Sequence, residues 1–385
     1  MALMRVLHIL EATGGGTARH VVDLCEGLAR RGVDVHLAYS PLRADAIWEK
    51  GLENLIAAGV HLVEVPMRRS PHPSDLQALL SLRRYLAQKG PFDLVHGHSS
   101  KAGALARLLR LLGGPPVVYT PHGFVTLARF VREFQEFGAG SLWLYEMVER
   151  GLSLLTDRLV AVADQDAEEA FRLGYPRTKV RVILHGIRLD EPQPGVREEV
   201  RRAWGVEEDD VVVGFVGRLD PQKSPQTLLK AFAKVAREHP KARLVIVGRG
   251  ALEGELKRLA EELGVDVIWA GFMEGRRAMK GMDVFVLPSS YEGLPYALLE
   301  AAAEGLPLVA TNLPSVSRVA TERNALIIPP GDVEALVEAL RLLLADEVLR
   351  HSMGMQSKKL AEGFSVERMV GEVLELYQDM LGVRV

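Results

Sequence analysis

Short runs of β-branched and aliphatic residues alternate with longer stretches in which apolar positions recur at helical spacing. This pattern predicts parallel strands joined by crossover helices. In the first half the predicted strands span 5–10, 33–38, 60–65, 93–97, 117–120, 158–163 and 180–184. Between the first two, Val21, Val22, Leu24, Cys25 and Leu28 share one helical face and Gly32 suits a C-cap, so Cys25 is predicted to be an inert core residue. The stretch Glu191-Pro192-Gln193-Pro194-Gly195 interrupts the pattern, which restarts with strands at 211–216, 243–247, 265–270, 283–287 and 308–311. A last amphipathic segment, 366–381, carries Met369, Val370, Val373, Leu374 and Tyr377 on one stripe, with Ser365 placed to cap it. The chain's 385 residues exceed what one core organises, so the pattern predicts two doubly wound α/β domains, 1–190 and 191–364, followed by a final helical segment, 365–385.

Composition narrows the function classes. A hydrophobic share of 48% against 25% charged residues excludes a disordered chain. The single cysteine excludes a disulfide scaffold and a thiolate zinc cluster. A net charge of −3 gives no reason to expect nucleic-acid binding. The apolar run before Glu11 is too short for a signal-peptide core, and no stretch is long enough to span a bilayer, so a cytoplasmic protein is expected. The charge is uneven, however: net +3 over 1–190, −6 over the remainder and +8 within 68–132. That last region holds Arg68, Arg69, Arg83, Arg84, Lys89, Lys101, Arg107, Arg110, Arg129 and Arg132 against Asp75 and Asp93. It reads either as a surface for anionic headgroups or an anionic substrate, or as a set of solvated helix faces.

In open α/β sheets ligands bind beyond the carboxyl ends of strands. After the predicted strand 283–287 comes Pro288-Ser289-Ser290-Tyr291-Glu292-Gly293-Leu294-Pro295, running on to Leu299-Glu300. Pro295 suits the first position of a helix whose N-terminus would face an anion, and Gly305 suits its C-cap. Glu292 and Glu300 flank that helix end, and Glu300 sits among apolar neighbours where a carboxylate needs a partner. After strand 211–216 comes Gly217-Arg218-Leu219-Asp220-Pro221-Gln222-Lys223-Ser224-Pro225. Arg218 and Lys223 are two cations able to hold a diphosphate, or a loop arginine paired with Asp220 and a solvated lysine.

After the first strand, Gly14-Gly15-Gly16 would admit a phosphate, but Arg19 takes the third glycine position of a dinucleotide fingerprint and no acid ends the second strand. A nicotinamide dehydrogenase is thereby disfavoured. His122, in Thr120-Pro121-His122-Gly123, could donate to a sugar hydroxyl or a phosphate, or serve only its loop. His96 and His98 share one side of their strand without an evident third metal ligand. Asp164 and Asp166 fit a helix start better than a metal site. Neither a Gly-x-Ser-x-Gly elbow nor a Walker A loop is present, which counts against hydrolase and P-loop chemistry.

Taken together, Gly217-Arg218…Lys223 and Ser289-Ser290-Tyr291-Glu292-Gly293-Leu294-Pro295…Leu299-Glu300-Ala301 resemble glycosyltransferase family 4, retaining nucleotide-sugar transferases of the GT-B fold. His96-Gly97-His98-Ser99-Ser100-Lys101-Ala102-Gly103 and Thr120-Pro121-His122 are similar to enzymes of capsule, O-antigen or exopolysaccharide assembly. The resemblance implies two Rossmann-like domains facing across a cleft, with the final helix returning to the first. It implies that Arg218 and Lys223 hold the diphosphate of a UDP- or GDP-sugar without a metal or other cofactor. Glu292 would contact the donor sugar, Glu300 the ribose, and Gly14–Gly16 the phosphates. His122 would lie beside the transferred sugar, Gly293, Leu294 and Pro295 would supply N–H donors and shape, and Phe272 would line the base pocket.

It also implies front-face attack with retention. Three positions depart from the family's usual residues and bear on donor identity: Arg249 in place of an acid, His185 in place of Asn, and Leu294 in place of Phe. The acceptor expected from the resemblance and the basic region is a polyprenyl-diphosphate-linked glycan at the inner membrane face. Alternatives are a transferase or synthase with a soluble acceptor, a nucleotide-sugar epimerase on the same architecture, and a non-catalytic nucleotide-binding module.

Overall fold

In the computed structural model, residues 3–130, 139–189 and 193–382 are described. The chain divides into two units, one formed by Met1–Gly186 with Val366–Val385 and the other by Ile187–Ser365. The first therefore ends before the proline-rich stretch. Ile187 already belongs to the second unit, its N–H donating to Phe364 O at 2.8 Å and its backbone bridging to Ser365.

The first unit holds strands β1 (Arg5–Leu10), β2 (Asp34–Tyr39), β3 (His61–Glu64), β4 (Leu94–His98), β5 (Val117–Thr120), β6 (Arg158–Ala161) and β7 (Val180–Val182). They form one parallel sheet in the order β3-β2-β1-β4-β5-β6-β7. The second holds β8 (Val211–Val216), β9 (Ala242–Val247), β10 (Val267–Gly271), β11 (Val284–Leu287), β12 (Leu308–Thr311) and β13 (Ala325–Ile328), parallel in the order β10-β9-β8-β11-β12-β13. Both are Rossmann-like. Each reverses its order once, between β1 and β4 and between β8 and β11, and such a reversal opens a crevice beyond the strand ends.

Strand β13 was not predicted. Its sequence, Ala325-Leu-Ile-Ile328, follows Asn324, whose side chain holds the preceding turn through Thr321 and Val319, so a four-residue strand hides behind polar loop chemistry.

The helix Val366–Leu381 packs on the first unit, burying Val366, Met369, Val370, Val373, Leu376 and Tyr377, with Leu374 only partly covered. Burying each of these aliphatic side chains stabilises by about 1.5–3 kcal/mol. The close approach depends on Gly27 in the helix Gly15–Arg30: a Cβ there would lie 2.5 Å from Val370 Cγ2.

The basic stretch 68–132 does not form one surface. Arg107 is fully buried, contrary to its expected place at an acceptor or membrane face. The helix Ser99–Leu111 presses Ala102, Gly103, Ala106 and Arg107 against the sheet. A Cβ at Gly103 would strike the Tyr119 ring at 2.2 Å, and the Arg107 guanidinium lies 4.0 Å over that ring. Arg107 also donates to Glu149 Oε1 at 2.5 Å, Tyr175 Oη at 2.8 Å and Gly103 O at 2.9 Å, so it is a buried structural cation. Lys101 is mostly buried against Asp75 and donates to Ser70 O at 3.0 Å, while Arg110 binds Gly114 O at 3.0 Å near Asp157. Neither is a free surface charge. Arg68 and Arg69 are exposed. Arg132 and the Arg129 side chain lie outside the described residues.

Candidate active site

The loops after β8 and β11 flank the reversal point of the second sheet. Gly217 follows β8 directly, and its carbonyl would lie 1.9 Å from a Cβ on Gly248, which holds φ 135° after β9. Only glycine lets the two loops touch here. Asp220 then opens the turn Pro221–Lys223 by accepting from Lys223 N at 3.2 Å. Ser224, at φ 47°, donates its hydroxyl to Pro221 O at 3.1 Å instead of capping the helix Pro225–Val235 that follows.

These turns aim Lys223 across the reversal point. Its Nζ lies 2.6 Å from Glu292 Oε1, and Ser289 Oγ donates to the same oxygen at 2.6 Å. Glu292 is buried, and its backbone carbonyl accepts from Ser315 Oγ at 2.8 Å. Gln222 Nε2 donates to Tyr291 O at 2.9 Å and Gln222 O accepts from Ser290 N at 2.9 Å, stitching the two loops together. Arg218 stands apart. Its side chain is 74% exposed and pairs with Asp220 Oδ2 at 2.9 Å, leaving most of its donors in solvent.

The helix Tyr296–Ala303 starts one residue later than predicted: Pro295 is its N-cap, with extended backbone and no side-chain cap bond. Leu294 is buried, and Gly293 is exposed with open space around its α-carbon. Glu300 is buried on that helix. Its Oε2 would be 3.2 Å from a Cβ at Gly275, so the glycine keeps room beside the carboxylate. Phe272 lies just past β10 and is 61% exposed, and Arg249 in the neighbouring loop is exposed too.

In the first unit the reversal point is lined by imidazoles. The β1–β4 register pairs His8 with His96 and Leu10 with His98, so His8 supplies the neighbour that spacing alone did not reveal. His8 Nδ1 lies 3.0 Å from His98 Nε2, and His98 Nδ1 lies 3.2 Å from His122 Nε2. His20, on the helix after the glycine loop, approaches His185 Nδ1 at 3.0 Å. His96 is engaged at both nitrogens, by Tyr377 Oη at 2.5 Å and Thr120 Oγ1 at 2.7 Å.

Burial lowers the pKa of His8 and of His20 to about 3, and holds His96, His98, His122 and His185 well below 6.5. The cluster is therefore neutral at pH 7. Two sets, His8/His96/His98 and His20/His98/His122, bring three ring nitrogens within 4.8 Å of one another.

His122 takes φ 53°, uncommon outside glycine, where His is among the tolerated residues. Buried Asp166 accepts backbone N–H groups of Gly123 and Phe124, fixing the loop, and burial raises its pKa to about 7. Asp164 and Asp166 lie in the first turn of the helix Asp164–Arg172, without making a side-chain cap. The glycine loop carries its own anion: Gly15 N donates to Asp45 Oδ2 at 2.8 Å, and a Cβ on Gly14 would meet Asp45 Oδ2 at 3.1 Å. Gly15 and Gly16 are otherwise exposed.

Ser289, Ser315, Gln222, Asp45, Asp166, His8 and His20 were not among the predicted site residues. The only local signals were the Ser-x-x-Glu spacing of Ser289 and Glu292, and a histidine inside an otherwise apolar strand at His8.

The second-unit arrangement offers two cations and two buried carboxylates beyond strand ends, which suits an anionic ligand bearing hydroxyl groups. Residues 196–360 match the family described as "Glycosyl transferases group 1", and residues 15–186 match "Glycosyl transferase 4-like domain". The chain is 32% identical over 319 residues to the UDP-Gal:alpha-D-GlcNAc-diphosphoundecaprenol alpha-1,3-galactosyltransferase of Escherichia coli, covering 80% of each chain. It is 30% identical over 394 residues to a D-inositol 3-phosphate glycosyltransferase of Saccharomonospora viridis, covering 95% of this chain and 90% of the relative. Among solved structures, HepE of Anabaena in complex with UDP superposes with a TM-score of 0.80 at 18% identity, over 98% of this chain and 100% of that one. WaaG, a glycosyltransferase of lipopolysaccharide biosynthesis, gives 0.74 at 19% identity over 97% and 99%. The fold is GT-B, and the chain belongs to glycosyltransferase family 4, whose members are sugar-transferring enzymes.

Proposed function

We propose that this glycosyltransferase moves a hexose, with retention, from a UDP-sugar to a polyprenyl-diphosphate-linked glycan in surface polysaccharide assembly. The observation that carries the reading is the Lys223–Glu292 pair at the second reversal point, with exposed Arg218 on the same loop as Lys223. Breaking the sugar–phosphate bond builds negative charge on the departing diphosphate. Lys223 and Arg218 stabilise that charge, and fixed cations cost no reorganisation as the bond breaks. In this reading no divalent metal is required for transfer.

Lys223 has three donors and spends one on Glu292, so it can hold Glu292 and a phosphate oxygen together. Glu292, oriented by Ser289, accepts from donor-sugar hydroxyls. Glu300 accepts from the ribose, and Phe272 stacks on the base. Front-face attack lets the donor phosphate take the acceptor proton, so Glu292 does not act as a nucleophile.

The donor and acceptor classes follow the Escherichia coli relative and the UDP in the HepE complex. Contact with the membrane is supported by exposed Arg68 and Arg69 and by the exposed Trp143, Leu144, Met147 and Val148 of the helix Ala139–Ser153. Among the described residues no helix is long and apolar enough to cross a membrane. A second reading, a soluble acceptor, is favoured by the D-inositol 3-phosphate transferases among the relatives.

Incubation of UDP-hexoses with polyprenyl-diphosphate-GlcNAc or with inositol phosphate, in the presence of EDTA, decides the matter. The proposal expects an α-linked product on the lipid-linked acceptor. Transfer only to inositol phosphate favours the second reading, and an epimerised donor without transfer overturns both.

A further inference from the structure

At the opposite end of the first sheet from His122, the strand starts gather a second set of donors. Alternation along β2 places Asp34 and His36 on one face, and the β2–β3 register pairs His36 with His61. Asp34 Oδ1 lies 3.3 Å from His36 Nε2 and 3.5 Å from His61 Nε2, and all three atoms fall within 4.8 Å of one another. Ligands about 2.0–2.2 Å from one tetrahedral ion are separated by about 3.3–3.6 Å. Both Asp34 distances fall in that range.

The groups behind these atoms are also in place. The Tyr85 hydroxyl lies 2.8 Å from His36 Nδ1 and occupies that nitrogen, which turns Nε2 toward Asp34 and His61. Arg5 Nε donates to Asp34 Oδ2 at 2.6 Å, leaving Oδ1 for the set. His36 is 5% exposed, and its buried Nε2 faces Asp34 Oδ1 without a well-aligned hydrogen bond. His61 is exposed, and a cavity of about 390 Å³ lined by Arg5, His36, His61, Tyr85 and Lys89 opens beside the set. In the imidazole cluster near His122, by contrast, His96 has both nitrogens occupied and His98 bonds an imidazole at each.

We propose that Asp34, His36 and His61 bind a divalent transition ion of the zinc class, with the remaining position open to the cavity. Two imidazoles and one carboxylate are the donors that select such ions over Mg²⁺ or Ca²⁺. Arg5 and Lys89 oppose the added charge, and Asp34 offsets Arg5 through its other oxygen. The site is separate from the sugar-transfer chemistry and does not depend on that reading.

The test is titration of the full chain with Co²⁺, read by its visible absorption, followed by displacement with Zn²⁺. One saturable equivalent is expected. His61→Ala, at an exposed position, should weaken binding by about 100-fold or more, and Tyr85→Phe by about 10-fold. Absence of a saturable spectrum overturns the proposal, as does wild-type affinity in His61→Ala. Binding that survives His61→Ala and is lost in His20→Ala overturns it too, by placing the ion in the other cluster.

Discussion

Lys223 and Glu292 are 69 residues apart in the chain and 2.6 Å apart in space, each brought by a loop at the same strand reversal. Glu292 is 5% and Lys223 15% exposed at the side chain, so truncating either leaves a poorly solvated charge without its partner. The two variants should nevertheless separate. Lys223→Ala should weaken UDP binding and lower turnover by about 10²-fold or more, as loss of a charge stabiliser does. Glu292→Gln should lower turnover by about 10²-fold while UDP alone binds within about 3-fold of wild type, because the carboxylate serves the sugar. Calorimetry with UDP beside steady-state kinetics checks both.

Arg218 tests the same chemistry without the folding cost. Its side chain is 74% exposed and paired with Asp220, and such surface pairs contribute about 0–1 kcal/mol. Arg218→Ala should melt like wild type and lose about 10²-fold in kcat/KM. Unchanged kinetics would remove Arg218 from the site.

The buried Arg107 predicts the opposite behaviour. Arg107→Ala removes the cation paired with Glu149, which keeps only the Tyr175 hydroxyl at 2.7 Å, and losing one partner of a buried pair costs about 3–5 kcal/mol. Chemical denaturation should show that loss. Arg68→Ala with Arg69→Ala should leave stability unchanged and weaken binding to anionic vesicles. If Arg107→Ala is as stable as wild type, its structural assignment fails.

Stability should fall on mild acidification. Folded His8 and His20 resist protonation down to about pH 3, whereas the unfolded imidazoles take up protons below 6.5. Their contribution is complete above 6.5 and is lost as pH falls below it, each adding about 1.4 kcal/mol per pH unit toward unfolding. Asp166 acts in reverse. Its raised pKa keeps a proton in the folded state that the unfolded state releases above 3.8, so its contribution fades as pH rises toward about 7. One acid does not offset several imidazoles. The melting temperature should drop from about pH 7 to about pH 5, and less steeply in His8→Gln. Equal slopes in the two proteins would contradict a buried neutral His8.

Among the described residues, twelve of the thirteen strands were legible because buried parallel strands read as continuous β-branched runs. Their ends shifted by one or two residues where polar residues such as Asp34 or His98 still pair in the ladder. The loops carrying Arg218, Lys223 and Glu292, and the start of the helix carrying Glu300, were legible because proline, glycine and serine punctuate them. What pairing builds across the sheet was not. His8 meets His98, His36 meets His61 and Tyr85, and Asp45 meets Gly15 only through strand order and loop return. Arg107 misled for a related reason: an arginine reads as surface until the neighbouring glycine and the opposing Tyr119 ring show that its helix face is buried.

The central claim is that the second-unit reversal point holds the donor diphosphate. A crystal structure of the protein soaked with UDP tests it most directly. The account predicts diphosphate oxygens within hydrogen-bond distance of Lys223 Nζ and the Arg218 guanidinium, with the ribose against Glu300. A diphosphate seated elsewhere, with Lys223 still bound only to Glu292, would contradict it.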